Sequence, residues 1–464
     1  MYPIILLSFL GVVTLFLGFS KSKNILLPAT LLFLIIALAS NFIDWGKGPF
    51  IYFYDMLRVD NVTLAFNGIV LLSAFMIVAI SGGFQDNADS EPAEYYGLML
   101  FSLVGAIMMI GFEHLIMLFI GVEILSVAMY VLTGSNKRNL RSNEAALKYF
   151  LMGAFATGFM LFGITLLYGA TGSFKLTEIQ GYASNIPAGS ESYILYAGFL
   201  LLLIGMLFKV SAAPFHFWTP DVYEGAPTIF TTFMSTIVKT AGFAALFRLL
   251  SNTFPIYGFW WIVMAAIAVL TLLVGNIGAT SQNSFKRMLA YSGISHAGYL
   301  LIALTALTKP SQNAIIFYSL AYSLSTICAF GVLILVSKEK TIEGQPNERY
   351  EAFNGLAKQN PLLAFVLAVS MLSLAGIPLT AGFWGKFFIF TSAAERGIIW
   401  ITVIAVLMST VGIYYYFRVI ISSYLREGDM IKIRVAPFYK AVLVLATFLT
   451  ILFGLVPGIF EGLI

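Results

Sequence analysis

The chain has 464 residues, 59% of them hydrophobic and only 10% charged, where a soluble domain is roughly a quarter charged. With a mean hydropathy of +0.91, this excludes a soluble globular protein and marks an integral membrane protein. The net charge of +4 comes with no basic stripe interleaved with aromatics, so nucleic acid is excluded as a partner, and the one cysteine, Cys328, excludes an internal disulfide and a cysteine-held metal or cluster.

The first stretch, "MYPIILLSFLGVV", lacks a basic n-region and an A-x-A site, so it reads as a first membrane helix rather than a cleaved signal. A window of roughly 20 apolar residues then predicts about 14 membrane helices. Their centres fall near Val12, Leu34, Ser73, Val104, Glu123, Met160, Ile204, Met234, Ala268, His296, Ser325, Leu372, Ser409 and Ala446. "GPFIYFYDMLRVD" (Gly48–Asp60) alternates apolar and polar residues and predicts a short extramembrane hairpin. Most connections are short; the longest polar one runs from Ser337 to Pro361. No separate soluble domain is expected.

Counted in order, the odd-numbered connections carry about fifteen Lys and Arg and the even-numbered ones about six. The odd group includes "SKSK", "NKRNLR", "FKR" and the 337–361 loop. The positive-inside rule makes these cytoplasmic and puts both termini on the other side. The acidic third connection, "DNADSEPAEYY", departs from the pattern, but acidic residues weigh little in that rule.

Set apart from the loops, Glu123, Lys209, Lys239, His296 and Lys386 stand inside apolar segments. A charge at the bilayer centre costs at least about 2.5–3.5 kcal/mol, and the usual reason to keep one is an ion path or proton relay. Glu123, in "HLIMLFIGVEILSVAMYVLTG", is far from both ends of its segment. A structural carboxyl bonded to a neighbouring helix is the alternative. Snorkelling is the alternative for Lys209 and Lys239, weak because both ends are distant. Lys386 is nearer a helix end, and a lone His296 among small residues is equally a packing residue.

Two prolines matter as much. Pro214 in "GMLFKVSAAPFHFWTP" and Pro378 in "LSLAGIPLTAGFWGKF" fall within membrane segments. Proline removes a backbone hydrogen bond, and the freed groups must face protein or water, never lipid. These are therefore two interrupted helices, the seventh and the twelfth, each beside a hydrated cavity and each presenting half-helix ends near the midplane. Five helices apart, they run in opposite directions. The expected fold is an all-α membrane protein with two inverted five-helix units, helices 4–8 and 9–13. In residues, an N-terminal three-helix part covers 1–81, the first unit 95–250, the second 257–425 and a last helix 441–464.

The tracts "NLRSNEAALKYFLMGAF", "FKVSAAPFHFWTPDVYEGAPT", "STIVKTAGFAALFRLL", "GNIGATSQNSFKRMLAYSGISHAGYLL" and "LSLAGIPLTAGFWGKF" together resemble the subunit N family of bacterial NADH–quinone oxidoreductase, respiratory complex I, across essentially the whole chain. That family belongs to a wider antiporter-like group with subunits L and M and components of multisubunit sodium/proton antiporters. The resemblance implies proton translocation through Glu123, Lys209, Lys239, His296 and Lys386. Glu144, Lys148 and His216 are expected as accessory residues; His216, in the family's "PFHFW", reads as structural or gating, with proton transfer the alternative. NADH, FMN, iron–sulfur clusters and quinone are implied in partner subunits, with none in this chain. The implied partners are subunits L and M, the small membrane subunits and the lipid bilayer, in a bacterial inner membrane. Two other readings of the same charges are a sodium/proton antiporter subunit and a non-pumping scaffold.

Overall fold

The computed structural model describes residues 1–82, 92–185, 192–253, 257–342, 345–428 and 433–458. Most of the acidic third connection and the last residues of the 441–464 segment lie outside these. The first part of the chain forms α1 (Tyr2–Leu17), α2 (Leu26–Asn41), a hairpin of β1 (Phe50–Tyr52) and β2 (Leu57–Val59), and α3 (Asn61–Ala79). There follow α4 (Pro92–Gly111), α5 (Leu115–Thr133), α6 (Leu140–Thr171), a short α7 (Leu176–Ser184), α8 (Tyr193–Lys209), α9 (Trp218–Gly225), α10 (Thr228–Phe233) and α11 (Lys239–Thr253). The second half holds α12 (Tyr257–Thr280), α13 (Phe285–Ala306), α14 (Lys309–Glu339), α15 (Leu356–Gln359), α16 (Pro361–Ala375), α17 (Ala381–Glu395), α18 (Ile399–Leu425) and α19 (Pro437–Leu455).

Among the described residues, 11 helical segments are long and apolar enough to cross a membrane. The further apolar helices α1, α8 and α16 are shorter. For α8 and α16 the reason is the predicted interruption. The first stops at Lys209 and the chain resumes helix at Trp218; the second stops at Ala375 and resumes at Ala381. The hairpin expected at Gly48–Asp60 is present, with Phe50 opposite Val59 and Tyr52 opposite Leu57.

Helix starts carry the residues that satisfy free amides. Asp60, Asn139 and Asn360 accept from Thr63, Arg141 and Leu363 at the starts of α3, α6 and α16. Pro361 sits in the first turn of α16, where its missing N–H costs nothing. Helix crossings use small residues, because lipid offers no hydrophobic drive for association and only close packing remains. A β-carbon on Gly105 would lie 2.6 Å from the Leu125 amide, and one on Gly163 2.5 Å from the Gly198 carbonyl. Those glycines set the α4–α5 and α6–α8 crossings.

Alternate connections gather at opposite ends of the molecule. At one end Asp60 bridges Arg248 (3.1 Å) and Arg58 (3.1 Å), Glu113 lies 3.7 Å from Arg248, and Asp55 meets Lys175 (3.0 Å). At the other, Asp221 joins Lys148 and Arg287 (2.8 Å each), Glu224 also reaches Arg287 (2.8 Å), and Lys286 bridges Glu348 (3.1 Å).

The Asp60 cluster ties the N-terminal helices to the rest. Arg248, on α11, also donates to Thr63 Oγ1 (2.7 Å) and the Ile110 carbonyl (2.9 Å). Burial alone would raise the Asp60 carboxyl; Arg248, Thr63 and Arg58 outweigh it and hold the group below the usual carboxylate range. Its stabilising effect is thus present above the ordinary carboxyl pKa and is lost as pH falls through the lowered one. Asp60→Ala is expected to cost about 3 kcal/mol at neutral pH, read as lowered thermal stability of the membrane-inserted protein. The gap to wild type should narrow below about pH 4; a gap independent of pH would contradict the ion-pair account.

Candidate functional site

The site is built on the two helix breaks. At the first, the chain between Lys209 and Trp218 leaves backbone groups that protein atoms then satisfy. The Trp218 indole N–H donates to the Phe208 carbonyl (3.1 Å), Ser211 N to the same carbonyl (3.0 Å), and Ala213 N to Thr271 Oγ1 on α12 (3.0 Å). Ser211 takes a left-handed φ of 64° and the Ala213–Pro214 bond is cis. The Trp218 ring is stacked on Tyr149 of α6, centroids 4.7 Å apart. Ser211 Oγ, His216 Nδ1 and Thr219 Oγ1 are buried at the break without a hydrogen-bond partner. His216 is therefore part of the break, packed against Phe217.

Lys209 is the last residue of α8. Its Nζ donates to Ser126 Oγ on α5 (2.7 Å), and Ser126 in turn donates to the Val122 carbonyl (2.5 Å). Glu123 lies within electrostatic range of Lys209, yet no ion pair joins them. Glu123 Oε1 is buried and unpartnered. The structure thus brings the two into one neighbourhood and gives the lysine to a hydroxyl.

Val210 packs on Gly242 of α11, less than a turn from Lys239. Lys239 follows a π-helical turn, Met234–Val238, a local widening frequent at functional sites. Its Nζ donates to the Gly293 carbonyl of α13 (2.5 Å). Between Lys239 and His296 lies a small cavity, lined also by Thr240, Ser319 and Tyr322, with about 10 Å³ for a water's centre. That is room for about one water, and Ser319 Oγ is buried there without a partner.

His296 is buried on α13 with both ring nitrogens engaged: Nδ1 with Tyr318 Oη (2.6 Å) and Nε2 with Tyr416 Oη (3.0 Å). At the second break, Gly376 has φ 82° and Leu379 φ 73°. Here Lys386 of α17 reaches back to the end of α16, donating to the Ala375 carbonyl and to Ser409 Oγ (2.8 Å each). Its ammonium also lies 4.7 Å from the Tyr299 ring centre, a cation–π distance. Ser373 Oγ accepts from Gly382 N (3.2 Å) and from Ser325 Oγ (2.8 Å), closing that break too.

Glu144 and Lys148 pair with each other (2.7 Å) at the rim, where Lys148 also meets Asp221 of α9. They stand apart from the buried series. Ser126, Tyr318, Tyr322, Tyr416 and Ser409 do not stand out in the sequence, because neutral hydroxyls are ordinary in membrane segments. The tyrosine-rich "IYYYF" and "FYSLAYS" runs are the signal that was available.

Comparison with known proteins places this arrangement. Residues 113–412 match the family described as NADH:quinone oxidoreductase/Mrp antiporter, transmembrane. NADH-quinone oxidoreductase subunit N of Trichlorobacter lovleyi is 42% identical, over 92% of this chain and 87% of that protein. The protein of the same name from Flavobacterium psychrophilum is 39% identical over 99% of both. A chain in the structure of respiratory complex I from Thermus thermophilus with bound aureothin superposes with a TM-score of 0.84 at 37% identity, covering 98% of this chain and 97% of that one. The chain belongs to the subunit N family of NADH-quinone oxidoreductase, within this antiporter-like group.

Trp218→Phe keeps an aromatic ring against Tyr149 and removes the donor to the Phe208 carbonyl. It should destabilise the membrane-inserted protein by about 1–2 kcal/mol, measured as a drop in thermal inactivation midpoint; an unchanged midpoint would count against the carbonyl being held this way.

Proposed function

We propose that the chain translocates protons as a membrane subunit of a bacterial respiratory NADH–quinone oxidoreductase. The observation that carries this is the buried series Lys209, Lys239, His296 and Lys386. Each member is held by hydroxyls or backbone carbonyls and none by a carboxylate. A carboxylate partner would lock an ammonium in its charged form; neutral dipoles solvate it without doing so.

In this reading a proton enters from the cytoplasmic side and reaches Lys209 and Lys239. It passes by way of the cavity to His296, then to Lys386 and out. Glu123 tunes Lys209 from outside direct contact, and a shift of the carboxylate toward or away from the lysine is the switch. Moving one charge against 100 mV takes about 2.3 kcal/mol, and one pKa unit is about 1.4 kcal/mol, so swings of a few units are sufficient. Redox chemistry with NADH, FMN, iron–sulfur clusters and quinone belongs to partner subunits. Antiporter-like subunits L and M and small membrane subunits are the expected neighbours.

The reading includes fourteen membrane helices, counting α1, α8 and α16 with the longer ones, in an inner membrane with both termini periplasmic. It divides the chain at 1–81, 95–250, 257–425 and 441–464, with the middle parts as inverted units. Packing supports that division: α4 lies on α5, α6 on α8 and α9, and α4 on α11, while α12 lies on α13, α14 on α16 and α17, and α12 on α18. These are the same pairings in each unit. Both breaks fall at the corresponding helix.

Lys209→Met or Lys239→Met should abolish most proton uptake by inverted membrane vesicles oxidising NADH, with assembly intact. Glu123→Gln should weaken coupling and Glu123→Asp should do so less. Gly293→Ala would set a methyl 2.8 Å from Lys239 Nζ and should reduce pumping through displacement of that lysine. Normal pumping by both lysine variants would overturn the assignment. A sodium requirement for transport would favour the sodium/proton antiporter reading.

A further inference from the structure

The buried hydroxyls of α14 are of two kinds. A serine or threonine in a membrane helix ordinarily donates to the carbonyl one turn back. Ser325 does so, to Ala321 (2.8 Å), as do Thr305 of α13 to Leu301 (2.8 Å) and Thr232 of α10 to Thr228 (2.8 Å). Ser319, Ser323 and Thr326 do not. Each is at most 2% exposed, and each hydroxyl oxygen is buried without a hydrogen-bond partner.

With Tyr322 these positions follow i, i+3, i+4 and i+7, the spacing of one helix face. The row spans about 10 Å along the helix axis. Its inner end is the cavity beside Lys239, which Ser319 and Tyr322 both line. A β-carbon on Gly293 would lie 2.8 Å from Lys239 Nζ and 3.1 Å from Tyr322 Oη, so the ammonium and the phenol reach toward one point. From there the row leads toward the Glu339 end of α14, the end of the molecule where Lys286 meets Glu348. α10 and the π-helical turn pack on α14. They carry hydroxyls in the same direction: Thr236, Thr232 and Thr228 are spaced four apart, and Thr228 Oγ1 is 3.2 Å from Glu348 Oε1.

A buried hydroxyl without a partner is unfavourable. Alanine or valine would fill these places without that penalty, so packing alone does not account for the row. Three such groups on one face suit a small partner that both donates and accepts, and water is one.

We propose that Ser319, Ser323 and Thr326 hold the file of water through which protons reach Lys239 from the Glu348 end. The proposal rests on the proton path set out above, in which that end is cytoplasmic. Bulk water at the rim supplies the proton. Along the file each water gives up one proton as it takes one from the water before it, so one O–H bond breaks as another forms. The last proton forms an N–H bond on the neutral Lys239 amine. The three side chains are positioning residues: they keep their own protons and turn to donate to the waters or accept from them. When Lys239 passes its proton toward His296 its amine is neutral again, and rotation of the waters restores the starting order.

The test is Thr326→Val in the intact complex, in inverted membrane vesicles, with proton uptake measured per NADH oxidised. Thr326→Ser, Ser323→Ala and Lys239→Met are made alongside. Thr326→Val keeps the side-chain shape and removes the hydroxyl; it should assemble normally and lower pumping about tenfold. Thr326→Ser keeps the hydroxyl and should pump nearly as wild type. Equal losses in Thr326→Val and Thr326→Ser would mark a packing role and overturn the inlet. If Thr326→Val fails to assemble, Ser323→Ala removes the neighbouring hydroxyl and carries the same expectation. Normal pumping in Thr326→Val and Ser323→Ala, with Lys239→Met silent, overturns the inlet and leaves the proton path standing. Normal pumping in Lys239→Met as well overturns the path itself.

Discussion

The rest of this structure depends on how it keeps ammonium groups inside a bilayer without neutralising them by carboxylates. Lys209 rests on a serine hydroxyl, Lys239 on a backbone carbonyl, and Lys386 on a carbonyl and a hydroxyl. The charges near the two ends of the molecule are treated differently. Arg248 is bracketed by Asp60 and Glu113, Lys286 meets Glu348, and Asp221 is shared by Lys148 and Arg287. An ion pair fixes protonation and serves as a clamp; a neutral oxygen solvates a cation and leaves its proton exchangeable. The molecule uses clamps at its rims and solvation in its middle.

That choice explains the broken helices. Carbonyls facing a lysine are scarce in an unbroken membrane helix, where each is used four residues on. Ending α16 at Ala375 frees carbonyls at the negative end of a half-helix, and Lys386 reaches back across the break to take one. At the first break the order is reversed. Lys209 itself ends α8, while Trp218 returns from the second half to hold the Phe208 carbonyl. One break places a cation at a helix end by position and the other by reach.

Much of this was legible in the sequence because charge and proline are conspicuous in an apolar background. Glu123, Lys209, Lys239, His296 and Lys386 announce themselves, and Pro214 and Pro378 locate both breaks. The alternation at Gly48–Asp60 gave the hairpin. What holds the charges was not legible. Ser126 and Ser409 look like any serine in a membrane helix, and a backbone carbonyl such as that of Gly293 has no letter at all. The π-helical turn before Lys239 depends on packing against neighbours rather than on local residue type. Whether Glu123 touches Lys209 was not legible either, because sequence gives the charges and not the distance. A hydroxyl one turn along α5 took the ammonium.

The displaced carboxylate has its own logic. On α5, Ser126 turns inward to Lys209 while Ile120 and Val127, on the flank of Glu123, are exposed. Glu123 is half-buried between them. It therefore stands at the edge of the molecule, in electrical contact with Lys209 but free of it. A carboxylate bonded to Lys209 would answer only to events inside this chain. One without that bond leaves the ammonium to the Ser126 hydroxyl. The cost is a buried unpartnered oxygen, on the order of 1–3 kcal/mol. That is the size of one or two pKa units.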